Sequence, residues 1–182
     1  LLILNDTPGQ RLSLSKDPRY ENIRIYNFSE RFETLGHKYR YGIEVADGQY
    51  FTPWDDDDVS LPNRLATSRQ YLQGADTLQV HGFYYLEPNR AITFNNRDGY
   101  MADLYEIELA RRVGYSLTSY GSDAVSRCRF SAESTIVRHL VPTADWHFYL
   151  YRWATTRRLH LSSMTDGEGG YARIGSLPIE AV

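Results

Sequence analysis

The chain has 182 residues, 42% of them hydrophobic and 24% charged, with a formal net charge of −3; that is enough for one domain with a substantial core, and it offers no global attraction to nucleic acid or an anionic membrane. Cys128 is the single cysteine, which excludes an intrachain disulfide framework or a multi-cysteine metal site. With no apolar run near the roughly 20 residues of a membrane span and no signal-peptide pattern, the expected setting is reducing and cytoplasmic.

In chain order, Leu1–Leu4 is a short apolar run stopped by Asn5-Asp6-Thr7-Pro8-Gly9, which predicts a buried strand entering a turn. Ile23–Tyr26 predicts a second strand. Leu35, Tyr39, Gly42, Ile43 and Ala46 fall at helical spacing before Asp47-Gly48. Gln49–Trp54 predicts a third strand, which runs into four consecutive aspartates, Asp55 to Asp58. Leu61, Leu65, Ser68 and Leu72 form the next helical stripe, with Pro62 in its first turn. Leu78–Leu86 and Ala91–Phe94 read as strands around a Glu87-Pro88-Asn89 hairpin. Leu104, Ile107, Ala110 and Gly114 predict a helix that ends at Gly114. A short helix is expected from Ser122 to about Arg129, a late strand over His147–Trp153, and a loop at TDGEGG. Strands that alternate with helices and then give way to a mixed region predict an α/β fold, its sheet mixed but mainly parallel and flanked by helices.

Two acidic turns stand at the carboxyl ends of predicted strands: Asn5-Asp6 after LLIL, and Asp55–Asp58 after QYFTPW. Ligands of open α/β sheets bind outside those ends, and if both strands share one parallel sheet both turns open on the same side. Adjacent carboxylates roughly 4 Å apart repel by about 4 kcal/mol at an effective dielectric near 20. Either water screens them or a cation sits among them. Hard divalent cations such as Mg²⁺ or Mn²⁺ suit carboxylate oxygens, and both Asp55-x-Asp57 and Asp56-x-Asp58 have a metal-plus-second-ligand spacing. The glycine and distal glutamate of a calcium-binding EF-hand loop are missing.

The segment TLGHKYRYGIEVADGQYFTPWDDDDVSLPNRL resembles the central block of family-2 glycosyltransferases with the GT-A fold, in a bacterial and phage-like subset. LLILNDTPGQ resembles that fold's second strand, RRVGYSLTSYGSDAVSRCRF its acceptor-side segment, and FYLYRWATTRRLHLSS its closing segment. The resemblance implies a metal-dependent, inverting transfer of sugar from a nucleoside-diphosphate sugar, with a UDP-sugar the expected donor, to an acceptor hydroxyl. It puts Asp57 on Mn²⁺ or Mg²⁺, with His160 completing the metal shell or touching phosphate. Asp55, or its neighbour Asp56, would contact the ribose or sugar; Asp6 the base or ribose; Lys38 the diphosphate. Asp123 matches the catalytic base, and its place at the opening of a helix would keep it ionised. His37, His81, His139 and His147 match no partner pattern and are expected in core or surface roles.

Two departures qualify the match. The family's first apolar strand has no counterpart before LLIL, so a fragment is expected, and the usual Glu-Asp pair is Ser122-Asp123 here. The expected organisation is one domain over 1–182, with a nucleotide-sugar and metal half over 1–75 and an acceptor half over 76–182. Acceptor glycan, lipid-linked glycan, protein or modified nucleic acid all stay open, as does oligomeric state. A non-catalytic scaffold of the same fold is the alternative, and a nucleotidyltransferase, which wants a Gly- and Arg-rich phosphate loop, a further one.

Overall fold

The computed structural model describes residues 1–55, 58–86, 92–98, 100–118, 122–141, 149–152 and 172–175. Its strands are β1 (Leu2–Asn5), β2 (Arg24–Asn27), β3 (Tyr50–Phe51), β4 (Val59–Ser60), β5 (Thr77–Leu86), β6 (Ile92–Asp98), β7 (Leu104–Glu106), β8 (Val137–Leu140), β9 (Tyr149–Arg152) and β10 (Ala172–Gly175). Its α-helices are α1 (Leu35–Val45), α2 (Arg64–Leu72), α3 (Ile107–Val113) and α4 (Ser122–Glu133).

The strand β5 organises an eight-stranded sheet. Its first residues pair antiparallel with β7 and parallel with β8, while its later ones pair antiparallel with β6 and parallel with β9. The change of partner coincides with a register shift between His81 and Phe83, where Gly82 takes a φ of 100°. Only glycine adopts that backbone without steric cost, which is what a bulge at this point requires. The pairs β3–β7, β4–β9 and β6–β10 are also antiparallel. The α/β class stands, but the sheet is mixed with antiparallel pairing predominant rather than mainly parallel. Short segments that return beside their neighbours, such as β7 between β3 and β5, pair antiparallel without a helical crossover.

The condition that β1 and β3 share one sheet is not met. β1 pairs parallel with β2 in a two-stranded sheet of its own, Leu2 opposite Arg24 through Asn5 opposite Asn27. β3 is only two residues long, since Pro53 lacks the N–H that would continue the ladder.

Two further expectations shift. Leu104 begins strand β7 rather than a helix, and α3 starts at Ile107, although it does end at Gly114 with φ 72°. In α2 the buried face is Arg64, Ser68 and Leu72, while Leu65 is 51% exposed and Pro62 lies ahead of the helix. An arginine took the place that hydrophobic periodicity had assigned to leucine.

The core has two parts. Leu72, Leu78, Val80, Phe83, Leu104 and Leu140 pack around β5. Ile43, Tyr105, Leu109, Tyr115 and Phe130 pack among α1, α3 and α4. Each large apolar side chain so buried contributes about 1.5–3 kcal/mol. Between them Asp103, fully buried, accepts from the Val80 amide at 2.6 Å and the Tyr105 hydroxyl at 2.8 Å, and pairs with Arg127 Nε at 3.3 Å. No helix among the described residues is long and apolar enough to cross a membrane.

Candidate active site

Asn5 shapes the first acidic turn. Its side-chain amide donates to Asn27 Oδ1 at 2.9 Å and to the Gln10 carbonyl at 3.1 Å, and its Oδ1 accepts from the Thr7 amide at 3.4 Å. The turn so fixed holds Asp6 against α1. There Lys38 Nζ donates to Asp6 Oδ1 at 2.7 Å, and the Phe32 amide donates to Oδ2 at 3.2 Å. Burial raises the Asp6 carboxyl, but the Lys38 hydrogen bond, the Phe32 amide and the Lys38 charge together outweigh it and leave the group below the usual aspartate value.

Helix α1 is held by both ends of its first turn. Thr34 is the N-cap and accepts from the His37 amide at 3.3 Å. Gly36 packs against the backbone of Ser116 and Leu117, so closely that a Cβ there would lie 2.7 Å from Leu117 Cα. The helix therefore rests directly on the segment that leads into α4.

One residue beyond Lys38, the Tyr39 hydroxyl donates to Asp55 Oδ1 at 2.8 Å. Arg64 braces the flanks of the acidic loop. Its guanidinium donates to Thr52 Oγ1 at 3.0 Å and the Pro53 carbonyl at 2.7 Å before the loop, and to Ser60 Oγ at 2.7 Å after it. It also lies 4.7 Å from the centroid of the Trp54 ring. An arginine that is 1% exposed survives there because its fork satisfies several acceptors at once.

The Tyr39 ring packs on Tyr115 with centroids 4.7 Å apart, and the Tyr115 hydroxyl donates to Asp123 Oδ1 at 2.6 Å. Ser122 Oγ makes a longer bond, 3.5 Å, to the same oxygen. Among the described residues Asp123 Oδ2 receives no hydrogen bond. Burial pushes the Asp123 carboxyl up, and the Tyr115 and Ser122 bonds only partly offset it. Desolvation thus opposes the ionised form that the helix start was expected to favour. Burial and the neighbouring carboxylates push both phenols well above the ordinary tyrosine value, so they remain donors at neutral pH.

Asp55, Tyr39, Tyr115 and Asp123 thus form a continuous chain of contacts, with Asp6 and Lys38 one helix residue away. Asp56, Asp57 and His160 lie outside the described residues. The described residues contain no group of three or more His, Cys, Asp or Glu side chains able to hold a metal ion. Sequence reasoning missed Tyr39, Tyr115 and Arg64 as parts of the site. Arg64 had a signal, its place in the run Leu61-Pro62-Asn63-Arg64 at the start of α2; two tyrosines among 15 had none. His81 and His139, expected to be unremarkable, approach each other with ring nitrogens 2.7 Å apart, and Arg127 lies 3.3 Å from His81 Nε2.

No family model and no curated protein sequence matches the chain. Solved structures do. The crystal structure of Staphylococcus aureus TarS residues 1–349 aligns with a TM-score of 0.61 at 13% identity, covering 83% of this chain and 50% of that one. The same segment in complex with UDP gives 0.61 at 12% identity, with 84% and 51% covered. The complex with UDP-GlcNAc gives 0.58 at 12%, with 87% and 50% covered. The chain spans about half the length of these TarS structures. At such identity the likeness concerns architecture alone: the chain has a glycosyltransferase-like fold.

Proposed function

We propose that the chain is a glycosyltransferase domain that moves a sugar from a nucleoside-diphosphate sugar, a UDP-sugar first among the candidates, to an acceptor hydroxyl with inversion. The observation that carries this reading is the convergence on α1 of Asp6, through Lys38, and of Asp55 and, by way of Tyr115, Asp123, through Tyr39. TarS, a glycosyltransferase crystallised with UDP and with UDP-GlcNAc, supplies the fold-level support.

In this reading Asp6 and Asp55 bind the nucleoside and sugar, and Lys38 faces the diphosphate. Asp123 is the general base. The acceptor hydroxyl gives its proton to the carboxylate as its oxygen forms a bond to the anomeric carbon. The bond from that carbon to the diphosphate oxygen breaks, and its electron pair leaves with the nucleoside diphosphate. A carboxylate in a desolvated setting is a stronger base than one in water, which suits the role. Asp57 and His160 are the proposed holders of Mn²⁺ or Mg²⁺, which when bound would stabilise the charge on the leaving group, and Asp56 is the alternative to Asp55 as the ribose or sugar contact.

Titration calorimetry with UDP, GDP, ADP and CDP, each with and without Mn²⁺, tests the reading on the full chain. Selective binding of one nucleoside diphosphate, strengthened by Mn²⁺ and weakened at least tenfold in Asp57→Ala, is the expected result. Absence of binding to all four would overturn it.

A further inference from the structure

We propose that Tyr115 is the positioning residue of the acceptor-side carboxylate: its hydroxyl holds Asp123 through Oδ1 and leaves Oδ2 to take the acceptor proton. The inference rests on the transferase reading and deepens it, since it concerns the same base.

The geometry argues for a fixed donor. Tyr115 is 1% exposed. Its ring sits 4.7 Å from that of Tyr39 and 6.1 Å from those of Phe51 and Phe130, measured between centroids. Its backbone is held on both sides. Arg40 Nε of α1 donates to the Tyr115 carbonyl at 2.7 Å, and the Ser116 amide donates to Ser126 Oγ, on the helix that carries Asp123, at 2.8 Å. A tyrosine has only two side-chain torsions, so these contacts leave the hydroxyl little choice of direction. At 2.6 Å the bond to Asp123 is short, as expected when a hydroxyl meets a carboxylate.

The two oxygens of Asp123 are therefore unequal. Oδ1 accepts from Tyr115 and Ser122, which lowers its appetite for a further proton. Oδ2 carries no such bond among the described residues and is the more basic oxygen. The groups that face Asp123 from the surrounding elements are Tyr39 on α1, Tyr105 on β7 and Tyr115 itself. Arg40 lies against the Tyr115 backbone, and Arg127 lies close to Tyr105. All three phenols are pushed well above the ordinary tyrosine value. The phenols therefore stay neutral at acidic and neutral pH, and the carboxyl that Tyr115 contacts directly is that of Asp123.

The test compares the wild-type chain with Tyr115→Phe, which removes one oxygen from a buried ring. Carbon-13 NMR of the aspartate carboxyls reads the Asp123 titration without turnover, and the pH profile of kcat/KM reads it in the reaction. Loss of the hydroxyl should move the Asp123 midpoint up by about one unit. The acidic limb of kcat/KM should move with it, while KM for the donor stays within twofold. If the variant does not fold, a difluorotyrosine placed at 115, a stronger donor, should move both readings down. An unmoved midpoint in an otherwise active chain overturns the role given to Tyr115. A wild-type chain that binds no nucleotide and transfers no sugar instead removes the transferase reading, whatever the NMR midpoint does.

Discussion

Lys38 Nζ lies 2.7 Å from Asp6 Oδ1, so two side chains assigned to different parts of a donor nucleotide neutralise each other across 32 residues of sequence. With side chains 29% and 20% exposed, the pair is only partly screened. A double-mutant cycle with Asp6→Asn and Lys38→Met should give a coupling of about 0.5–1 kcal/mol, at the upper end for pairs near the surface. The sign with pH follows from the depressed Asp6 carboxyl. Its stabilisation is complete above the unfolded-state value of about 3.9 and is lost as pH falls through the lower folded-state value. Urea unfolding at pH 7 and pH 2.5 checks this; a coupling that persists undiminished at pH 2.5 would exclude an ionic origin.

Gly36 gives a prediction whose sign separates packing from propensity. Alanine is favoured over glycine inside helices by about 1 kcal/mol, so Gly36→Ala would stabilise a freely exposed α1. Here the added methyl would run into Ser116 O and into Leu117 Cα at 2.7 Å, and both are backbone atoms that cannot rotate aside. Overpacking of this kind costs about 1–3 kcal/mol. The variant should melt at a lower temperature than wild type. It should also weaken nucleotide binding, because Lys38 and Tyr39 ride on the same turn. A raised melting temperature would show that α1 does not press on the 116–117 backbone.

Arg64 should matter for stability because it ties together the two flanks of the acidic loop. Its hydrogen bonds to Thr52, Pro53 and Ser60 tie residues before the acidic loop to one after it. Arg64→Met keeps much of the volume but strands the Pro53 carbonyl and two hydroxyls, at a cost of about 2–4 kcal/mol. Arg64→Lys should recover less than half of that, because an ammonium cannot reach all three acceptors. Denaturant midpoints at constant slope measure both. Full rescue by lysine would mean that only the charge is needed.

These three sites also show what was legible in the sequence and why. The α1 span, the helix stop at Gly114 and the β5–β6 antiparallel pair were readable because periodicity and glycine punctuation act locally. Sheet partners were not. That β3 joins β7 depends on contacts more than 50 residues apart, which no local pattern encodes. Burial of Arg64 instead of Leu65 reversed a hydrophobic stripe, since three specific acceptors outweighed the apolar preference. Asp6, Lys38, Asp55 and Asp123 could be picked out as chemical types. The tyrosines that join two of them could not, because one phenol in a Tyr-rich chain looks like any other.

Asp123 ties the candidate site to the energetics of the fold. Its carboxyl is raised in the folded chain by burial, against the Tyr115 and Ser122 bonds, so between the unfolded value of about 3.9 and the folded value the native state binds more protons than the unfolded one. Stability attributable to this group therefore falls as pH rises through that window, and above it the folded chain carries a desolvated charge. Asp123→Asn keeps an oxygen for the Tyr115 hydroxyl and removes that charge. It should be more stable than wild type at pH 7 and no more stable at pH 3, where the wild-type group is already neutral. In the transferase reading the same variant should bind nucleotide normally and lose at least a hundredfold in transfer, the scale of general-base catalysis. Thermal unfolding at the two pH values, beside a transfer assay, checks both halves. A variant less stable than wild type at pH 7 would mean that the carboxylate is held by compensating bonds, and a base so well satisfied would have little reason to take a proton from an acceptor.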